Sequence, residues 1–120
     1  MTINSYKKGK VGDLELVAAL KKYFPDYRIK RIAGTEKSRA TITGDVFSPD
    51  GILVRFHFEN KNRKSLNIFE TMEKTQDDAQ NRIPIIRWHK PREQPLFIMR
   101  EADLLNLLLE LDGYLKEKDA

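Results

Sequence analysis

The sequence predicts an α/β domain in which a central mixed β-sheet is flanked by helices. Three observations lead there. Apolar residues recur at helical spacing in three separate stretches, around 12–24, 67–80 and 100–116. Between them lie five short segments rich in β-branched and aromatic residues. Helical and extended segments interleave, and the order αβββαββα is that of a sheet covered by helices. A chain of 120 residues makes one ordinary domain, 1–120.

The elements follow in order. Residues 1–10 read as a mobile basic arm. A helix starts near Gly12 and stops at Pro25, which cannot continue it. Tyr27 to Ala33 is a first strand, Gly34 to Arg39 a basic loop, and Thr41 to Phe47 a second strand. Ser48-Pro49-Asp50-Gly51 is a turn signal, because Pro fixes its own φ and Gly tolerates positive φ. A third strand, Ile52 to Glu59, then makes a hairpin with the second. Asn67 and Glu70 fit a capping box at the head of a second helix, which runs to about Gln80. Ile83 to Trp88 and Pro95 to Met99 are the last strands, joined by a basic loop, and 100–118 forms a closing helix.

Composition narrows the function classes. Hydrophobic residues are 40% and charged residues 33%, a globular balance rather than a disordered one. With no cysteine there is no disulfide framework, no thiolate zinc site and no cysteine nucleophile. No apolar run approaches a membrane span, and the polar, basic start does not read as a signal peptide. The expected location is cytoplasmic. Charge is uneven: residues 1–100 hold 20 Lys and Arg against 12 Asp and Glu, whereas 101–120 hold 2 against 6. A basic body points to a polyanion, with a plain solvated surface as the alternative.

The third strand carries the chemistry. Ile52, Val54, Phe56 and Phe58 point one way; Leu53, Arg55, His57 and Glu59 point the other. Extended by two residues, it sets Lys61 on the face of Glu59. Asp45 lies on the neighbouring strand, not beside Glu59 by simple hairpin register; a bend or bulge at Gly44 would bring the two together. Two carboxylates and a lysine suit metal-assisted phosphodiester hydrolysis. Hard oxygen donors hold Mg²⁺, and an ammonium group neutralises charge growing on phosphate. The alternative is a surface ion pair, since an isolated E-x-K is common.

Two helical positions add candidates. On a helical wheel at about 100° per residue, Asp13 falls within about 40° of Val17, Leu20 and Phe24, while Glu15 lies about 200° away towards solvent. A carboxylate on a buried face needs a partner, either a metal or the helix dipole. Gln76 is the polar member of the stripe Ile68, Phe69, Met72, Gln76 and Ala79, and contacts either DNA or an internal carbonyl. His57 and His89 show no metal-ligand spacing. Trp88 either stacks on a base or packs in the core.

The run Lys8-Gly9-Lys10-Val11-Gly12-Asp13-Leu14-Glu15-Leu16 resembles the K-G-x-x-x-E-x-E-L start of archaeal Holliday junction resolvases and their phage relatives. Gly44-Asp45-Val46 resembles their aspartate strand and Glu59-Asn60-Lys61 their E-x-K. Leu66-Asn67-Ile68, a helix with Gln76, and Ile83-Pro84-Ile85-Ile86 are similar to small phage and bacterial members of the PD-(D/E)XK nuclease superfamily. The resemblance covers about residues 7–108. It implies a restriction-endonuclease-like core that binds Mg²⁺, with Mn²⁺ as a substitute, through Asp45, Glu59 and the Asn60 backbone carbonyl. Lys61 is then catalytic, and Asp13 stands where the family usually has Glu. Lys8, Lys10, Lys37, Arg39, Arg63, Lys64 and Gln76 become candidate DNA contacts. The implied activity is a metal-dependent DNA endonuclease on branched DNA, working as a homodimer. The competing readings are a DNA-binding module on the same fold that does not cut, and a protein-interaction domain using the leucine-rich last helix.

Overall fold

The computed structural model describes residues 2–32 and 44–119, with side chains from residue 9 onward. Helix α1 spans Thr2–Tyr23, followed by strands β1 (Lys30–Arg31) and β2 (Val46–Phe47). A 3-10 helix, Gly51–Arg55, leads into β3 (Phe56–Asn62), and α2 spans Ile68–Ala79. Strands β4 (Ile83–His89) and β5 (Leu96–Ile98) precede α3 (Glu101–Asp119). The sheet order is β1-β2-β3-β4-β5, antiparallel throughout except for the parallel pair β3–β4, which α2 connects. The expected mixed α/β architecture is therefore present.

The core explains how α1 sits on the sheet. Leu16 and Leu20 pack with Ile29, Val46, Leu53, Phe58 and Ile85, and Val17, Phe24 and Tyr27 line the margin. Leu16, fully buried, is the centre of the helical stripe, and Leu14 is exposed. Gly12 allows the closest approach, since a Cβ there would run into the side-chain amides of Asn60 and Asn62. At the far end of the domain, Arg28 and Asp50 form an exposed ion pair at 2.7 Å. The Arg28 guanidinium holds the Asp50 carboxyl below its ordinary range.

Several expectations are corrected. The segment 1–10 is not a free arm: from Thr2 onward it belongs to α1. Nothing before Pro25 forces a break, so helix propagates through Gly9 and Gly12. Residues 51–55 are not strand. Gly51 adopts φ +52° and starts the 3-10 turn, which buries Leu53 and leaves Ile52 and Val54 exposed. The third strand consequently starts at Phe56 and runs past Glu59 to Asn62. The last helix does not close the sheet, because none of its residues is buried. On α2 the capping box is present: Asn67 Oδ1 accepts from the Glu70 N–H at 3.1 Å, and Asn67 Nδ2 donates to Glu70 Oε2 at 3.2 Å. The buried polar member of that helix is Thr75, whose hydroxyl donates to the Thr71 carbonyl at 2.7 Å; Gln76 faces solvent.

Candidate active site

β3 supplies the centre. Phe58 faces the α1 core, so by strand alternation His57, Glu59 and Lys61 face the α2 side. Glu59 stands between two cationic or protonatable neighbours: Lys61 Nζ lies 3.7 Å from its Oε1, and His57 Nε2 lies 3.6 Å from its Oε2. A polar cleft of about 260 Å³ opens beside them, lined by Glu59, Lys61 and Arg63 from the β3 side and by Asn67, Thr71 and Thr75 among the residues from the α2 side.

Asp45 comes beside the same strand at a bulge. Val46 pairs with Phe58, and the Asp45 N–H bonds the same Phe58 carbonyl, so Asp45 is an extra, bulged residue beside Val46 rather than the ladder partner of Glu59. A tight hairpin does not give this register; the 3-10 helix between β2 and β3 does. Gly44, at φ +93°, turns the chain into this position. Three hydrogen bonds then hold Asp45. Its N–H donates to the Phe58 carbonyl at 2.8 Å, and its carbonyl accepts from the Ile32 N–H at 2.8 Å. Its Oδ2 accepts from the Asn60 N–H at 2.8 Å. In an extended strand the N–H and C=O of one residue share an edge, so the Asn60 carbonyl also lies on the Asp45 edge.

This donor set fits a hard divalent cation. Two carboxylates and a backbone carbonyl offer only oxygen, and Mg²⁺ is commonly held by one or two carboxylates with water completing its shell. The set is small: among the described residues, no group of three or more His, Cys, Asp or Glu residues is placed to hold a metal.

The two acids of α1 have other engagements. Asp13 is buried, as the helical wheel indicates, and its Oδ2 accepts from Arg31 Nε at 3.1 Å. Glu15 is not simply solvated. Its Oε2 meets Arg87 Nη2 at 3.4 Å and His89 Nδ1 at 3.2 Å. Arg87, whose side chain is 7% exposed, also donates through Nη1 to Asn60 Oδ1 at 3.0 Å. A chain of contacts thus runs from Glu15 through Arg87 and Asn60 to the Asp45 carboxylate. Sequence reasoning missed it. The available signal was an arginine ending the apolar run Ile83-Pro84-Ile85-Ile86, since a cation in a buried strand requires a carboxylate from elsewhere. Removing Glu15 should therefore destabilise the fold more than removing Asp13. Glu15→Ala leaves a buried guanidinium short of its counter-charge, at about 2 kcal/mol after allowance for the 40% exposure of Glu15. Asp13→Ala leaves the more accessible Arg31, at about 1 kcal/mol. Urea unfolding of both variants measures the difference, and an equal loss contradicts it.

The basic residues divide. Lys10, Arg63 and Lys64 are exposed. Gly12 seats α1 against Asn60 and Asn62, which brings the helix segment carrying Lys10 towards the strand end that leads into Arg63 and Lys64. Trp88 is half-buried, and its indole N–H donates to the Arg63 carbonyl at 3.0 Å, fixing the start of that loop. Gln76 is exposed but does not line the cleft. Lys37, Arg39 and the side chain of Lys8 lie outside the described residues. His89 ends β4 rather than lying in a loop.

No family model matches the chain, and no curated protein matches it. In three dimensions it is similar to Hjc, a Holliday junction resolvase from the archaeal hyperthermophile Archaeoglobus fulgidus. The two share 18% identity over 72% of each chain, with a TM-score of 0.45. That likeness concerns the path of the chain and assigns no role to any residue. No helix among the described residues is long and apolar enough to cross a membrane.

Proposed function

We propose that this chain is a metal-dependent DNA endonuclease that hydrolyses phosphodiester bonds at Asp45, Glu59 and Lys61. The observation that carries the reading is the 2.8 Å hydrogen bond from the Asn60 N–H to Asp45 Oδ2, which holds that carboxylate beside the residue next to Glu59, with Lys61 Nζ 3.7 Å from Glu59 Oε1. Asp45, Glu59 and the Asn60 carbonyl would hold Mg²⁺ or Mn²⁺. Such an ion supplies Lewis-acid polarisation of the phosphate. Lys61 donates a hydrogen bond to the attacking water or to a phosphate oxygen, where negative charge grows as the new P–O bond forms. His57, buried behind Glu59, brings its Nε2 to 3.6 Å from the Glu59 carboxylate. Asp13 is the outlying acid of the reading; to reach a cation it must exchange Arg31 for it.

DNA is the proposed substrate, held by phosphate contacts from Lys8, Lys10, Lys37, Arg39, Arg63, Lys64 and Gln76. Branched DNA cut symmetrically on two strands needs two sites related by a twofold axis, hence a homodimer. The six cationic contacts predict roughly a thousandfold loss of affinity between about 50 and 200 mM salt. A much flatter dependence, in a filter-binding or anisotropy titration, removes the phosphate-clamp part of the proposal.

One observation favours a second reading, a DNA-binding module that does not cut: no third acid joins Asp45 and Glu59 in a metal-holding cluster among the described residues. A cleavage panel of four-way junction, nicked, flapped and linear duplex DNA separates the two. Cleavage with Mg²⁺ or Mn²⁺ that stops with EDTA is the expected result. Retained binding without cleavage under every metal condition supports the non-cutting module.

A further inference from the structure

Helix α3 presents a leucine seam that is half exposed among the described residues. Leu104, Leu108, Leu111 and Leu115 follow the 4-3-4 spacing of a coiled-coil stripe, and each is 45–52% exposed. The part of α3 nearest the domain is a different face. Asp103 and Leu107 are the half-buried positions, and Glu110 bonds Arg55. On the helical wheel that face lies about 100° from the seam. The molecule also extends beyond a compact chain: its axes measure 58 × 28 × 27 Å, and its radius of gyration of 15.3 Å exceeds the about 13.6 Å expected for this length.

The seam is palindromic in both spacing and charge. Extended one step each way, it reads Glu101, Leu104, Leu108, Leu111, Leu115, Lys118. A twofold axis midway between Leu109 and Glu110 sets Glu101 against the second copy's Lys118, Leu104 against its Leu115, and Leu108 against its Leu111. Every layer is then apolar with apolar or acid with base. A parallel pair has the same apolar layers but sets Glu101 against Glu101 and Lys118 against Lys118, which is repulsive at both ends.

We infer that α3 is a self-association helix through which two copies of this chain pair antiparallel along the Leu104–Leu115 seam. This gives the homodimer of the proposed function its surface, yet it rests on α3 alone and is read out without DNA. The pairing is isologous and closes at two copies, as a twofold contact must.

The absence of cysteine makes a clean test available. Light scattering on the intact chain at micromolar concentration should give twice 14.0 kDa. Leu108→Glu with Leu111→Glu should return the single-chain mass with an unchanged circular dichroism spectrum, because both side chains are half exposed and neither belongs to the buried core. Orientation follows from cross-linking with diamide as oxidant, which takes two electrons and two protons as two thiols become one disulfide. A chain carrying both Glu101→Cys and Lys118→Cys should run as a covalent dimer, whereas either substitution alone should not. An intrachain bridge is excluded, since the two positions lie about 26 Å apart along the helix and a disulfide spans at most about 7 Å between Cα atoms. A monomeric wild-type chain overturns the inference. So does a dimer that survives the leucine changes, which places the interface on the body of the domain, and so does efficient cross-linking by Glu101→Cys alone, which marks parallel pairing. Failure to cleave DNA leaves the inference standing and counts only against the nuclease reading.

Discussion

Alanine at Glu59 or Lys61 is expected to reduce DNA cleavage by about 10²–10³-fold or more while the domain remains folded. The expected size follows from the role that the proposed function gives each group. Lys61 offers positive charge where the phosphate gains negative charge, and losing one such preorganised donor costs about 2.7–4 kcal/mol of transition-state stabilisation. On the proposed reading Glu59 would hold both Lys61 and the cation, so its loss would remove two functions together. The two positions touch at 3.7 Å, and the double variant should therefore lose less than the product of the single losses. Folding is a separate matter. Both side chains are partly exposed at the cleft, and neither belongs to the apolar core. Glu59→Gln and Lys61→Met preserve volume and serve as the folding controls. Single-turnover cleavage with Mg²⁺, normalised to folded protein by circular dichroism, gives the measurement. Near-wild-type cutting by either alanine variant would falsify the catalytic assignment.

A second large effect is expected at Gly44. Its φ of +93° is one that side chains rarely adopt, and a Cβ there would stand 2.8 Å from the Phe58 carbonyl oxygen and 3.1 Å from the Phe58 nitrogen. Both obstacles are backbone of a central strand, which cannot step aside as a flexible side chain can. Gly44→Ala therefore carries about 1–3 kcal/mol of backbone strain. It also pushes the following residue, Asp45, away from Phe58 and Asn60, which hold it through two 2.8 Å hydrogen bonds. A displacement on the order of 1 Å at a reacting centre costs about 10²-fold in rate, so cleavage should fall further than stability accounts for. Gly9→Ala is the control. It lies in α1 with nothing within 4 Å of a new Cβ, and the change should be neutral or stabilising by up to about 1 kcal/mol. Thermal unfolding and cleavage rates of the two variants decide the matter. A Gly44→Ala variant with normal cleavage shows that Asp45 need not sit where these hydrogen bonds put it.

What the sequence determined by itself was local and periodic. Alternation along Phe56 to Lys61 sets His57, Glu59 and Lys61 on one face because successive side chains in a strand must alternate, whatever the strand pairs with. Pro25 ends α1, and Asn67 caps α2, through bonds that span four residues or fewer. The tertiary structure alone decided what depends on distant partners. Asp45 reaches the Asn60 N–H because a 3-10 helix, not a two-residue turn, sets the pairing of β2 with β3 and because the chain bulges at Asp45, against Phe58. Glu15 looked solvated on the helical wheel. It is engaged because Arg87, 72 residues later, is buried beside it. The leucines of α3 read equally well as a lid over the sheet or as a free face. Spacing along one helix reveals that a face is apolar but not what covers it, since that depends on how much surface the rest of the chain leaves to be buried.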